Sequence, residues 1–150
     1  MTAFVLIVFL AQGTVLVVDE FGFHRARGLP RWERWGHPID TFSVLLCLAV
    51  ALLLPARQPW VGLYLGLAIA SCLCVTKDEW IHASLCKPME QWLHALLFLL
   101  HPVLLWSIYF LWKSDAGAPL LNIEATLCAG FMLYQIIYWN AIRGEAQAGQ

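Results

Sequence analysis

The residues able to do chemistry in this chain sit in two short windows that echo one another. Residues 19–37 carry Asp19, Glu20 and His24, then Pro30, Glu33, Trp35 and His37. Residues 78–94 carry Asp78, Glu79 and His82, then Pro88, Glu90, Trp92 and His94. The string E-x-W-x-H occurs at 33–37 and again at 90–94, each time shortly after a proline. Four of the five histidines and six of the ten acids fall inside these windows, a concentration that points to a metal site built from two related helical hairpins. Imidazole and carboxylate together suit iron, manganese or zinc. Spacings of three or four residues keep each Glu–His pair on one helix face. The candidate ligands are therefore Glu20, His24, Glu33, His37, Glu79, His82, Glu90 and His94.

Such residues need elements to hold them, and the composition says which. The chain has 150 residues, of which 61% are hydrophobic and 13% charged, with a mean hydropathy of +0.69. A soluble domain is nearer half apolar and a quarter charged, so the expected class is an all-α integral membrane protein. The net charge of −1 gives nucleic-acid binding no electrostatic support. Five apolar stretches, 3–18, 37–54, 60–76, 92–112 and 120–142, predict about five transmembrane helices. They divide one transmembrane domain, 1–150, into a hairpin over 3–54, a second over 60–112, and a fifth helix over 120–142. The first four helices are expected to form an antiparallel bundle. Tryptophans 60, 92, 112 and 139 lie near predicted helix ends, as an interfacial aromatic belt requires. The first stretch lacks a basic leader and reads as a retained helix.

Orientation follows from the cations. With five spans, Arg25, Arg27, Arg31, Arg34, Lys77, Lys87 and Arg143 share one side, against Arg57 and Lys113 on the other. That excess predicts the N-terminus outside and the C-terminus cytoplasmic, in a plasma or inner membrane. Both repeated windows then lie at the cytoplasmic end. If the second hairpin turns near Pro88, His82 and Glu79 lie about 6 and 10 Å below the turn, and Glu90 and His94 about 3 and 9 Å. The first hairpin gives the same match of Glu20 with His37 and of His24 with Glu33.

The design resembles ferritin-like di-iron bundles, which project Glu residues and Glu-x-x-His motifs inward. Glu79-Trp-Ile-His82 has that spacing, whereas the other three pairs use i,i+4. The expected cofactors are two divalent or trivalent metal ions, iron first, with zinc or manganese as alternatives. The expected function is a di-iron oxidoreductase acting on a lipophilic or small substrate and supplied with electrons by a partner. The competing readings are divalent metal transport, storage or sensing, a structural zinc, and a b-type haem; the many carboxylates disfavour the last two. A simpler reading also stands: acids near helix ends could pair with the loop arginines.

Other residues support or flank the site. Asp40, one turn past His37, reads as a ligand, a histidine orienter or a helix-start acid. Asp19 and Asp78, about 100° around the helix from the neighbouring Glu, are expected to pair with cations. His101 reads either as a supporting or channel residue or as a satisfied buried histidine. Glu124 is expected in the first turn of the last helix, away from the metal. The five cysteines form no C-x-x-C, and read as small hydrophobes or, for Cys86, as a cytoplasmic thiol. Oligomeric state is left open.

Overall fold

A computed structural model describes residues 2–77, 79–114 and 117–143. Every regular element among them is helical. α1 runs over Thr2–Arg27, α2 over Arg31–Leu53, α3 over Trp60–Cys74, α4 over Glu79–Leu85, α5 over Pro88–Trp112, and α6 over Ala118–Ile142. Four of them, α1, α2, α5 and α6, are long and apolar enough to cross a membrane. The third expected span is shorter than the sequence suggested. α3 has 15 residues, below the ~20 that cross the hydrocarbon core.

Local chemistry explains these boundaries. Gly28 takes φ 80°, the left-handed region that glycine enters without a Cβ clash. Its N–H bonds back to the His24 carbonyl, closing α1. Pro30 is the extended residue from which α2 starts, and Pro88 opens α5, a position where its missing N–H costs nothing. α3 stops because its next residues turn back on it. The Thr76 hydroxyl donates to the Leu73 carbonyl at 2.8 Å, and Lys77 reaches across to Asp40 at 2.6 Å. Pro38 lies inside α2 and deprives the Arg34 carbonyl of its helical partner. The Asn140 amide of α6 donates to that carbonyl instead, at 3.2 Å.

α2 is the central element, packed against α3, α5 and α6, while α1 packs along α5. The most extensive helix–helix interface is α2 with α6, so the last helix belongs to the core of the assembly. Away from the site, Val5, Val44, Cys47, Leu48, Tyr64 and Ile108 fill the interior. The Trp112 indole donates to the Leu54 carbonyl at 2.8 Å and Lys113 Nζ to the Ala56 carbonyl at 3.0 Å, pinning α5 to the α2–α3 connection. Large apolar side chains such as Ile7, Leu53, Leu99 and Leu127 point outward and are exposed. That is the surface a hydrocarbon solvent would cover.

Candidate metal centre

The end of α1, the starts of α2 and α5, and the short α4 meet at one end of the molecule. Both E-x-W-x-H strings occupy the opening turns of their helices, α2 and α5. Glu33, His37, Glu90 and His94 therefore enter from two neighbouring helix starts. α1 supplies Asp19, Glu20 and His24 through an unusual backbone. Residues Asp19–His24 form a π-helical turn, with the Arg25 N–H bonded to the Glu20 carbonyl, five residues back. Such a register stacks residues five apart, so Asp19 comes onto the same side as His24 while Glu20 stays inward too. All three are buried. A regular α-helix would have turned Asp19 away, which is why it was expected to pair with a cation.

The four imidazoles lie in a closed ring of neighbours. Their centroids are 4.8 Å apart for His24–His37, 6.4 Å for His37–His82, 4.0 Å for His82–His94 and 5.8 Å for His24–His94. Carboxylates interleave with them. Asp19 Oδ2 is 3.2 Å from His24 Nε2 and 3.1 Å from His94 Nε2. Glu20 Oε2 is 3.4 Å from His24 Nδ1, Glu90 Oε1 is 3.7 Å from His24 Nε2, and Glu33 Oε1 is 3.8 Å from His82 Nε2.

Three overlapping groups could each hold a metal ion: Asp19, His24, Glu90 and His94; His24, Glu33 and His37; and His82, Cys86 and His94. In each, one ligand atom per residue lies within 4.8 Å of the others. The fit is supported by donors that the protein itself leaves unused. Asp19 Oδ1, His24 Nε2, Glu33 Oε1, His37 Nε2, both nitrogens of His82 and His94 Nδ1 are buried without a hydrogen-bond partner. Burial without a partner is costly for such groups, and a cation bound among them would satisfy several at once. Burial, reinforced by the neighbouring imidazoles of His94 and His24, pushes the His82 imidazole down to about 3. It is therefore neutral near pH 7, the form that ligates metals. The Cys86 thiol is pushed up to about 12 by burial and by the Glu90 carboxylate; a coordinated metal reverses that preference.

The carboxylates are held from behind. Tyr134 Oη and Trp139 Nε1 both donate to Glu20 Oε1, at 2.7 and 2.8 Å. These two residues of α6 are five apart, and the helix widens into a second π turn at Ile137–Ile142. Arg27 Nη2 donates to Glu33 Oε2 at 2.9 Å and to Glu90 Oε1 at 3.1 Å. The expected acid–arginine pairing thus exists at Arg27, which takes Glu33 and Glu90, while Asp19 faces His24 and His94.

Not every candidate residue joins. Glu79 is exposed and belongs to none of the donor groups. Because α3 ends early, Glu79 starts the separate α4 rather than lying one turn down a continuous helix, and its carboxylate stays at a solvent-facing helix start. Asp40 pairs with Lys77 rather than with a histidine. Asp78 lies outside the described residues. His101 is buried and bonded to Ser71 Oγ at 2.9 Å, and Ser71 in turn to Ser43 Oγ at 2.6 Å. It sits about 10 Å along α5 from His94. Two residues stand closer to the cluster than the sequence suggests: Asp19, expected beside the site as a partner of cations and brought into a donor group by the π turn, and Cys86, which the sequence offers only as a thiol. The spacing of Cys86, four after His82 and eight before His94, was the available clue. Among the described residues no disulfide joins any of the five cysteines.

A cavity of about 360 Å³ opens from this cluster into the apolar interior. Asp19, Glu20, His24, His37, His82 and His94 form its polar end, and Phe9, Leu16, Phe98, Leu104 and Phe131 line its depth. His101 and Glu124 also line it. Glu124 is two turns inside α6 rather than in its first turn, because that helix starts at Ala118. Comparison with known proteins finds no matching family model, no matching curated protein and no matching solved structure.

Proposed function

We propose that this chain is an integral membrane metalloprotein whose Glu/Asp/His cluster binds two iron ions and oxidises a lipophilic substrate. One observation carries the reading: four imidazoles and four carboxylates converge in a buried cluster in which several nitrogen and oxygen atoms lack a hydrogen-bond partner. His24, His37, His82 and His94 would serve as terminal ligands, and Asp19, Glu33 and Glu90 as terminal or bridging carboxylates. Glu20, held by Tyr134 and Trp139, would be the most rigidly placed of the acids. Iron held by such donors supplies the binding and reduction of dioxygen, since carboxylates tolerate both ferrous and ferric states. The chain's own part is to neutralise charge, fix the imidazole orientations and keep bulk water from the apolar side of the site. The cluster end faces the cytoplasm on the excess of lysine and arginine there. The exposed Arg31 and Lys87 on that rim would meet an acidic electron-transfer partner.

The test is metal analysis of protein purified in detergent. About two irons per chain, with ferric charge-transfer absorption that bleaches on reduction and returns with oxygen, is the expected result. Protein that takes up no metal under any loading condition would overturn the reading. A second reading, passage or storage of divalent metal, is favoured by one feature: Gln12, His101 and Glu124 continue polar groups along the cavity. Ferrous uptake by proteoliposomes would move the weight to it.

A further inference from the structure

The cavity has a second polar end, remote from the cluster. Gln12 is 6% exposed, in the middle of an apolar helix, and its Oε1 has no hydrogen-bond partner. It lines the cavity together with Glu124. Gln12 lies seven residues before Asp19 on α1, about 10 Å along the axis. Glu124 lies ten residues before Tyr134 on α6, about 15 Å from the level of Glu20. Between the two polar ends the wall carries Leu16, Leu97 and Phe98, and His101 lines it at about the depth of Gln12. A buried amide oxygen without a partner is costly in such surroundings. The sequence placed a glutamine where any aliphatic residue would have packed.

The flank of the cavity also has a direction. α1 packs along α5 and α6 along α2, and the cavity is lined from both α1 and α6. Val17 and Leu127, which contribute to its wall, are exposed. A ligand could therefore enter sideways from hydrocarbon. Gly13 faces the same space, and a Cβ added to it would meet nothing within 4 Å.

We propose that the cavity binds a long-chain alcohol, its hydroxyl held at Gln12 and Glu124 and its apolar chain reaching toward the metal cluster. A hydroxyl both donates and accepts, so it serves the glutamine amide in either orientation and can also donate to the Glu124 carboxylate. A plain alkane would leave Gln12 unpartnered. A fatty acid would bring a second carboxylate against Glu124. The carbon presented to the cluster is then one remote from the hydroxyl, set by the separation of the two polar ends. This assignment rests on the proposed function for its chemistry, though not for its binding.

The experiment measures equilibrium binding of tritiated dodecanol and dodecane to detergent-purified protein, as loaded with iron and after chelation, with metal content read on the same samples. Wild type should bind the alcohol about 10-fold more tightly than the alkane, the discrimination expected from one buried hydrogen bond. Gln12→Leu and Glu124→Leu should each reduce the preference, and the double variant should bind both ligands equally. Gly13→Phe should lose both ligands, while keeping its metal. Equal binding of the two ligands by wild type, or an unchanged preference in Gln12→Leu, would overturn the proposal. So would undiminished binding by Gly13→Phe, or ferrous uptake that Gln12→Leu abolishes in a protein indifferent to the hydroxyl. Alcohol preference in protein that never takes up metal would sink the oxidoreductase reading and leave this one standing. Metal binding without the preference would do the reverse.

Discussion

Arg27→Met separates a metal centre from a salt-bridge network that happens to contain histidines. Arg27 makes three hydrogen bonds to two carboxylates: Nη2 to Glu33 at 2.9 Å, and Nη2 and Nε to Glu90 at 3.1 and 3.2 Å. Glu33 is 0% and Glu90 1% exposed, so neither can turn to water when the guanidinium is removed. Removing one partner of a buried ion pair costs roughly 3–5 kcal/mol. Arg27 keeps 20% of its side chain exposed, which weakens the pair, so the low end of about 3 kcal/mol applies. For a chain of this length that lowers the Tm of the metal-free protein by roughly 6–12 °C. Metal changes the outcome. A bound cation supplies the positive charge that Glu33 and Glu90 have lost, and it no longer competes with Arg27 for their oxygens. The variant should therefore gain more from metal than wild type does, recovering most of the lost Tm. The assay is tryptophan-fluorescence melting in detergent, with chelator and across a series of ferrous or zinc concentrations, since the stabilisation grows with the logarithm of free metal over Kd. An equal Tm deficit with and without metal would refute the reasoning and leave a structural salt bridge.

Further outcomes follow from the same geometry. His94→Ala and His24→Ala should each lower metal affinity by at least roughly 10–100-fold, while Glu79→Ala, on the exposed start of α4, should leave stoichiometry unchanged by elemental analysis. Trp139→Phe removes one of the two α6 donors to Glu20 and should weaken metal binding by about 10–100-fold without changing its stoichiometry. The His82 imidazole stands at about 3 in the fold against an ordinary 6.5. Its share of the stability is thus present above pH 6.5 and lost as pH falls toward 3, because the unfolded chain binds that proton first. Chelated wild type should melt lower across that window, and His82→Gln should show a shallower pH dependence. In a cysteine-free background, Arg31→Cys and Lys87→Cys should react with an impermeant maleimide from the same membrane face; labelling from opposite faces would defeat the shared-end arrangement.

The sequence by itself determined the helical character, most helix boundaries and the end at which the site forms. Apolar runs of the right length, Gly28, Pro30 and Pro88 act locally, so their effects are readable without a partner. Most of the residues that the structure gathers into candidate donor groups could also be read from the sequence. His24, Glu33, His37, His82, Glu90 and His94 were legible because E-x-W-x-H repeats near helix starts, and matched axial depth follows from helix rise alone. Tertiary structure decided what depends on rotation, on interruption and on space between helices. The π turn at Asp19–His24 rotates Asp19 inward, and no side-chain spacing announces a change in backbone register. The break after Cys74, closed by the Thr76 turn and the Lys77–Asp40 pair, shortens α3 and leaves Glu79 outside, because a contact 37 residues away in sequence fixes where that helix ends. The role of α6 was equally hidden: Tyr134 and Trp139 reach Glu20 across more than a hundred residues, a relation that only packing creates. The cavity belongs wholly to this second kind. Gln12 and Glu124 lie on two separate apolar helices, and only the spacing of α1 and α6 makes them line one chamber.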